Sequence, residues 1–227
     1  MEGQPVDASR RRIQGKAISI GIATGAYALS FGAISVATGL DVWQTQMLSL
    51  FMFTGASQFA FVGIIGAGGG MVAAVLTALL LGARNGMYAV SMAPLLRLKG
   101  GRRLVGAHVT IDETTAMALA HPQHARYAFW TTALWIYLLW NAGTLMGALG
   151  AQFIGDPSTL GLDAATAAAL LALLWPRLVD RQVWAIAIAS AGIAIVLTPV
   201  LRPGLPVLAA AVVAIGAAAL SGRGGGR

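Results

Sequence analysis

The chain has 227 residues, 57% hydrophobic and only 10% charged, with 29 glycines and a net charge of +7; its mean hydropathy is +0.75. Soluble domains average about 45–50% apolar and about 25% charged residues. Too little charge is present to cover a water-facing surface, which argues against a soluble enzyme, a disordered chain or a nucleic-acid-binding module. Cysteine is absent, excluding disulfides, thiolate metal sites and cysteine nucleophiles.

Residues 1–16 are polar and include Arg10, Arg11, Arg12 and Lys16. The apolar stretch at 17–40 exceeds the ~7–15 residues of a signal peptide's apolar region. It reads as a retained first span, and the basic residues before it place the N-terminus in the cytoplasm. After Asp41, apolar stretches cover 43–67 and 71–96, joined by Gly66, Ala67, Gly68, Gly69 and Gly70. A basic loop follows with Arg97, Lys99, Arg102 and Arg103. The segment 105–120 is short for a span and carries His108, Asp112 and Glu113 in its middle. Residues 121–126 form a polar connector, 127–154 a long apolar stretch, and 164–175, 183–201 and 205–220 three shorter ones. The pattern predicts an all-α, polytopic membrane protein with about seven or eight helical segments, some broken or re-entrant. The transmembrane helical domain is 17–220, preceded by the cytoplasmic segment 1–16 and followed by a flexible, glycine-rich tail at 221–227.

The topology contains a conflict. If the stretches at 17–40, 43–67 and 71–96 all cross, the basic loop lies outside, against the preference of Lys and Arg for the cytoplasmic side. One stretch between 43 and 96 is then re-entrant, or the rule fails here. Gly39, Leu40 and Asp41 recur as Gly161, Leu162 and Asp163, 163 − 41 = 122 residues later. That echo suggests an internal repeat of the kind from which transporters are built. The copies are parallel if 105–120 crosses fully and inverted if it only dips in.

Four polar spots lie within apolar surroundings. In Thr54-Gly55-Ala56-Ser57-Gln58, glycine permits close backbone approach, while Ser57 and Gln58 offer hydrogen bonds at membrane depth; helix–helix adhesion is the competing reading. Arg84, followed by Asn85, costs at least ~2.5–3.5 kcal/mol to insert at mid-membrane. It requires a carboxylate, backbone carbonyls or an anionic ligand, and its fork suits a substrate carboxylate. Asp112 and Glu113 point to different faces of one helix, so that one can pair with Arg84 and the other line a cavity. A carboxylate taken out of water favours its neutral form and can carry a proton near neutral pH. In Trp140-Asn141 with Gly143, Thr144 and Gly147, Asn141 is the candidate ligand group. The small-residue pairs Gly21/Gly25, Gly82/Gly86 and Gly143/Gly147 read as helix packing. His121 and His124 lie in a polar connector and lack the partners of a metal site, and no nucleotide-binding or hydrolase motif occurs.

Together these residues resemble the AzlC family of branched-chain amino acid exporters. The matching elements are Phe31-Gly32, Phe53-Thr54-Gly55-Ala56-Ser57-Gln58-Phe59, Arg84, Asp112-Glu113, Trp140-Asn141-Ala142-Gly143-Thr144-Leu145-Met146-Gly147 and Gly161-Leu162-Asp163, across roughly residues 15–220. Gly82-Ala83-Arg84-Asn85 departs from the family's Asn-x-Arg-His, lacking both the asparagine and the histidine. The resemblance implies export of leucine, isoleucine and valine across the bacterial inner membrane, driven by the proton gradient. It also implies work with a small hydrophobic membrane protein of the AzlD type.

The expected substrate-binding residues are Gly55, Ser57, Gln58, Arg84, Asn85, Asn141 and Thr144, with Asp112 and Glu113 in proton coupling. No metal, cofactor or nucleic acid is expected; lipid is. The alternatives are an intramembrane enzyme using Asp112 and Glu113 as acid and base, and a structural or assembly subunit with no transport of its own.

Overall fold

The computed structural model describes residues 6–153, 168, 171, 174–175 and 178–224. Within them the chain is helical, with no strand. In order come α1 (Val6–Ala37), α2 (Val42–Phe51), α3 (Ala56–Gly66), α4 (Met71–Leu96), α5 (Gly101–His108) and α6 (Asp112–Ala120). A 3-10 turn at Pro122–His124 leads to α7 (Ala125–Ala151), and α8 (Arg181–Leu197) and α9 (Leu205–Gly224) follow. Helix α1 takes in most of the polar N-terminal segment, and α9 continues into the glycine-rich one. The repeated Gly161-Leu162-Asp163 lies outside the described residues. Among the described residues, three helices are long and apolar enough to cross a bilayer, at Ala8–Ala37, Met71–Leu96 and Pro122–Ala151.

Helices α1 and α7 form the centre of the bundle. Arg10 lies over the ring of Tyr127, 5.4 Å from its centroid, and Ile13 packs with Ala128. Further along, Gly21 and Gly25 face Trp135 and Leu139, and Leu29 and Gly32 meet Gly147 and Thr144. The paired numbers rise together, so the helices run parallel. Their seam needs small residues: a methyl added at Gly25 would lie 2.9 Å from the Leu139 carbonyl, and one at Gly147 would collide with that of Leu29. In lipid, where apolar burial gives little drive for association, this close backbone packing is a main source of helix–helix attraction. Phe31, Phe59 and Trp140 fill the space beside it, with the Phe31 and Phe59 rings 5.4 Å apart edge to face.

The two stretches of uncertain course both turn back. Helix α2 leaves the α1 C-terminal end through Asp41, whose side chain caps Gln44 N at 2.7 Å. Helix α3 ends beside its starting point, since Gly66 faces Thr38. The segment thus enters and leaves at one end of the bundle and breaks at 52–55. Helices α5 and α6 mirror it from the other end. They start after α4, break at 109–111, and return until Met117 packs on Ile13. Helix α4 crosses between these ends, with its last carbonyl, Leu96 O, accepting from Arg126 Nε at 2.7 Å.

This arrangement removes the topology conflict. With α2–α3 re-entrant, the basic loop after α4 lies at the same end as Arg10 and Arg126, and positive charge collects on one side as expected. The orientation expected from a dipping 105–120 segment needs correction. That segment does dip, yet α1 and α7 are parallel, because α2–α3 dips too and only α4 crosses between them. Helices α8 and α9 form a hairpin, and α9 packs against α4. Their turn at Gly204 sits on Ala73 and Ile64, at the end opposite the basic loop.

Candidate functional site

Both breaks occur halfway along α1, and each is held open by the third residue of the helix that follows. At the first, Gly55 adopts φ 59° and ψ −86°, a conformation that side chains disfavour. The fully buried Gln58 amide spans the interruption, with Oε1 accepting from Gly55 N at 3.0 Å and Nε2 donating to Leu48 O at 3.3 Å. At the second, the Thr114 hydroxyl accepts from Ile111 N at 2.9 Å and lies 3.0 Å from Val109 O. Side chains here replace the water that would otherwise satisfy a broken helix, as the apolar surroundings require. The breaks are also joined: His108 Nε2 donates to Leu50 O at 2.9 Å, and Tyr137 reaches the same carbonyl at 3.4 Å.

Between the breaks lies a cavity of about 310 Å³. One part is charged. Arg84, midway along α4, donates from Nη1 to Asp112 Oδ2 at 3.2 Å, with both side chains about one quarter exposed. Glu113 lines the same space and forms no ion pair among the described residues. Both acids sit in the first turn of α6, where the helix dipole favours negative charge. The N-terminus of α3 also meets the cavity, at Gly55 and Ala56, and has no acid in its first turn. The rest of the wall is mainly apolar and aromatic, with Ala23, Phe53, Ile111, Ile136, Tyr27 and Trp140, and two threonines, Thr24 and Thr54. Such a space suits a small molecule with both charges at one end and an apolar group at the other.

Of the residues singled out in the sequence, Gly55, Arg84, Asp112 and Glu113 meet here. The others stand elsewhere. Gln58 holds the first break. Ser57 is buried facing Gly82, and the half-buried Asn85 lies beyond the lining. Asn141 and Thr144 tie α7 to α2, with Asn141 Oδ1 accepting from Gln46 Nε2 at 3.2 Å and Ser49 Oγ donating to Thr144 Oγ1 at 3.1 Å. Four polar residues of the wall were not among the expected binding groups: Thr24, Tyr27, Thr54 and Trp140. Helical spacing points to two of them, since Ala23 and Tyr27, and Ile136 and Trp140, are each one turn apart on α1 and α7. Among the described residues no group of three or more His, Asp or Glu side chains could hold a metal ion.

Comparison with known proteins supports a membrane protein. The chain is 29% identical over 150 residues to uncharacterized membrane proteins from two strains of Helicobacter pylori, covering 64% of this chain. It spans 65% of the length of those relatives. It is 28% identical over 158 residues to an uncharacterized membrane protein of Archaeoglobus fulgidus, covering 69% of this chain and 70% of that one. No solved structure matches. The model of the AzlC protein family matches residues 19–154, which hold both broken hairpins, Arg84, α7 and the part of α1 from residue 19 onwards. The chain belongs to the AzlC family, a transporter-associated family of membrane proteins.

Proposed function

We propose that this chain is the large subunit of a secondary transporter that exports branched-chain amino acids across the bacterial inner membrane in exchange for protons. The observation that carries this reading is the cavity at mid-bundle, where two hairpins entering from opposite ends expose helix N-termini beside Arg84, Asp112 and Glu113. Interrupted helices converging on a midplane site are the common construction of secondary transporters. Two opposed hairpins also offer two gates, one towards each side. The basic end, with Arg10, Arg97 and Arg126, faces the cytoplasm in this scheme.

Glu113 serves as the proton carrier, while Asp112 holds Arg84 in place. The apolar wall accepts the branched side chain. A small AzlD-type membrane protein packs on the lipid-facing surface, where α4 exposes Leu79, Met87 and Val90. Counterflow in proteoliposomes, with a panel of labelled amino acids and with and without such a partner, tests the proposal. Labelled leucine is expected to exchange, and net efflux to collapse with an uncoupler. Glu113→Gln is expected to lose proton-driven efflux, with exchange persisting only at raised leucine concentration. Absence of exchange for any branched-chain amino acid would refute the transporter reading, and full proton-driven efflux by Glu113→Gln would refute the coupling role.

A further inference from the structure

Outside the Arg84–Asp112 pair, three polar side chains of the cavity wall carry groups without a hydrogen-bond partner among the described residues: Trp140 Nε1, Thr54 Oγ1 and Tyr27 Oη. Trp140 is only 5% exposed. Its indole N–H can donate and cannot accept, so burial without an acceptor calls for one from outside the chain. Both hydroxyls can donate as well. The ring of Trp140 lies against Gly55, 3.8 Å from where a Cβ would stand, and so beside the N-terminus of α3, which Thr54 precedes by sequence; the Tyr27 ring stands 6.1 Å from that of Trp140 and 4.9 Å from that of Phe59 on α3. That end carries the positive pole of the helix dipole with no acid to offset it. The part of the wall at the start of α6 differs: Arg84 already faces Asp112, and Glu113 adds a second acid.

From this asymmetry we infer that Trp140, Thr54 and Tyr27, together with the N-terminus of α3, form a carboxylate-binding corner, while Glu113 receives the ammonium group. This fixes the orientation of the ligand and deepens the transporter reading, on which it rests. An arginine that already has a carboxylate partner is a poor second receiver for the substrate's. Neutral donors at a helix N-terminus bind a carboxylate without a fixed charge that must be stripped of its counterion in each cycle.

The test measures binding to the full chain in nanodiscs, by competition with labelled leucine. Leucinamide keeps the ammonium and lacks the carboxylate; 4-methylpentanoate keeps the carboxylate and lacks the ammonium. Trp140→Phe removes the N–H and preserves the ring, and Thr54→Val removes the hydroxyl at nearly constant volume. Each is expected to weaken leucine and 4-methylpentanoate by about ten-fold or more, the usual worth of a hydrogen bond to a charged group. Leucinamide binding should stay unchanged, which also shows that the variant is folded. Glu113→Gln should show the reverse preference. Wild-type affinity for leucine in both variants, or equal loss of all three ligands, would overturn the carboxylate corner. Binding of leucine with the expected pattern but no exchange in proteoliposomes would leave the corner standing and remove the transport reading. Failure of the wild type to bind any of the three would remove both.

Discussion

The two broken hairpins solve one physical problem with different means. In α2–α3 the turn at Gly55 needs a glycine conformation, and a long amide reaches across it to satisfy both an N–H and a C=O. In α5–α6 the turn keeps ordinary conformations, and a short hydroxyl at the equivalent helical position serves the Ile111 N–H. The first hairpin leaves the positive end of its second helix bare, whereas the second covers it with Asp112 and Glu113. Two similar breaks therefore present opposite electrostatic faces to one cavity. A zwitterion can lie between them with each end matched.

The largest expected effect concerns the course of the hairpins. Because the chain contains no cysteine, single cysteines report sidedness without background. Cysteines at Asp41 and Gly68 are expected to react with an impermeant maleimide from one side only, and those at Lys99 and His124 only from the other. Labelling of the Asp41 and Gly68 positions from opposite sides would mean that α2–α3 crosses, and the fold described above would fail.

A smaller effect compares the two braces. Gln58→Leu strands one N–H and one C=O in an apolar interior, each at about 1–3 kcal/mol. Thr114→Val likewise strands one N–H, that of Ile111, and one C=O, that of Val109. In thermal unfolding of detergent-purified protein, the two variants should therefore lose similar stability. A loss at one break several times that at the other would show that the hairpins do not depend on their braces in this way.

The smallest effect lies at the basic end. Arg126→Ala removes one partly buried hydrogen bond, to the carbonyl of Leu96 at the end of α4, so the cost should be about 1 kcal/mol and visible only as a slight drop in melting temperature. A loss as large as that of Gln58→Leu would move the main support of the hairpins from their breaks to their ends.

Much of the cavity was legible in the sequence because polar groups at membrane depth are costly and so announce themselves. Arg84, Asp112 and Glu113 could be singled out on that ground, and Gly55 for the close backbone approach it permits, and they do meet. Asn141, Thr144, Ser57 and Gln58 carry the same signal yet serve packing or the break itself. Depth along a helix follows from counting residues, but the direction a side chain takes turns by about 100° with each one. Thus Trp140 lines the cavity and Asn141, its neighbour, braces α2.

By itself the sequence determined that this is a helical membrane protein, where its long helices lie, and which polar residues sit deep within apolar stretches. Those properties follow from the length of an apolar run and from the cost of burying charge, both local quantities. Only the tertiary structure decided that 43–67 and 105–120 turn back, that α1 and α7 run parallel, and that Trp140, Thr54 and Tyr27 share a cavity with Arg84. A broken helix has the same composition whether it crosses or returns. What chooses between them is where its ends find packing, Gly66 on Thr38 and Met117 on Ile13, across contacts that no local pattern encodes.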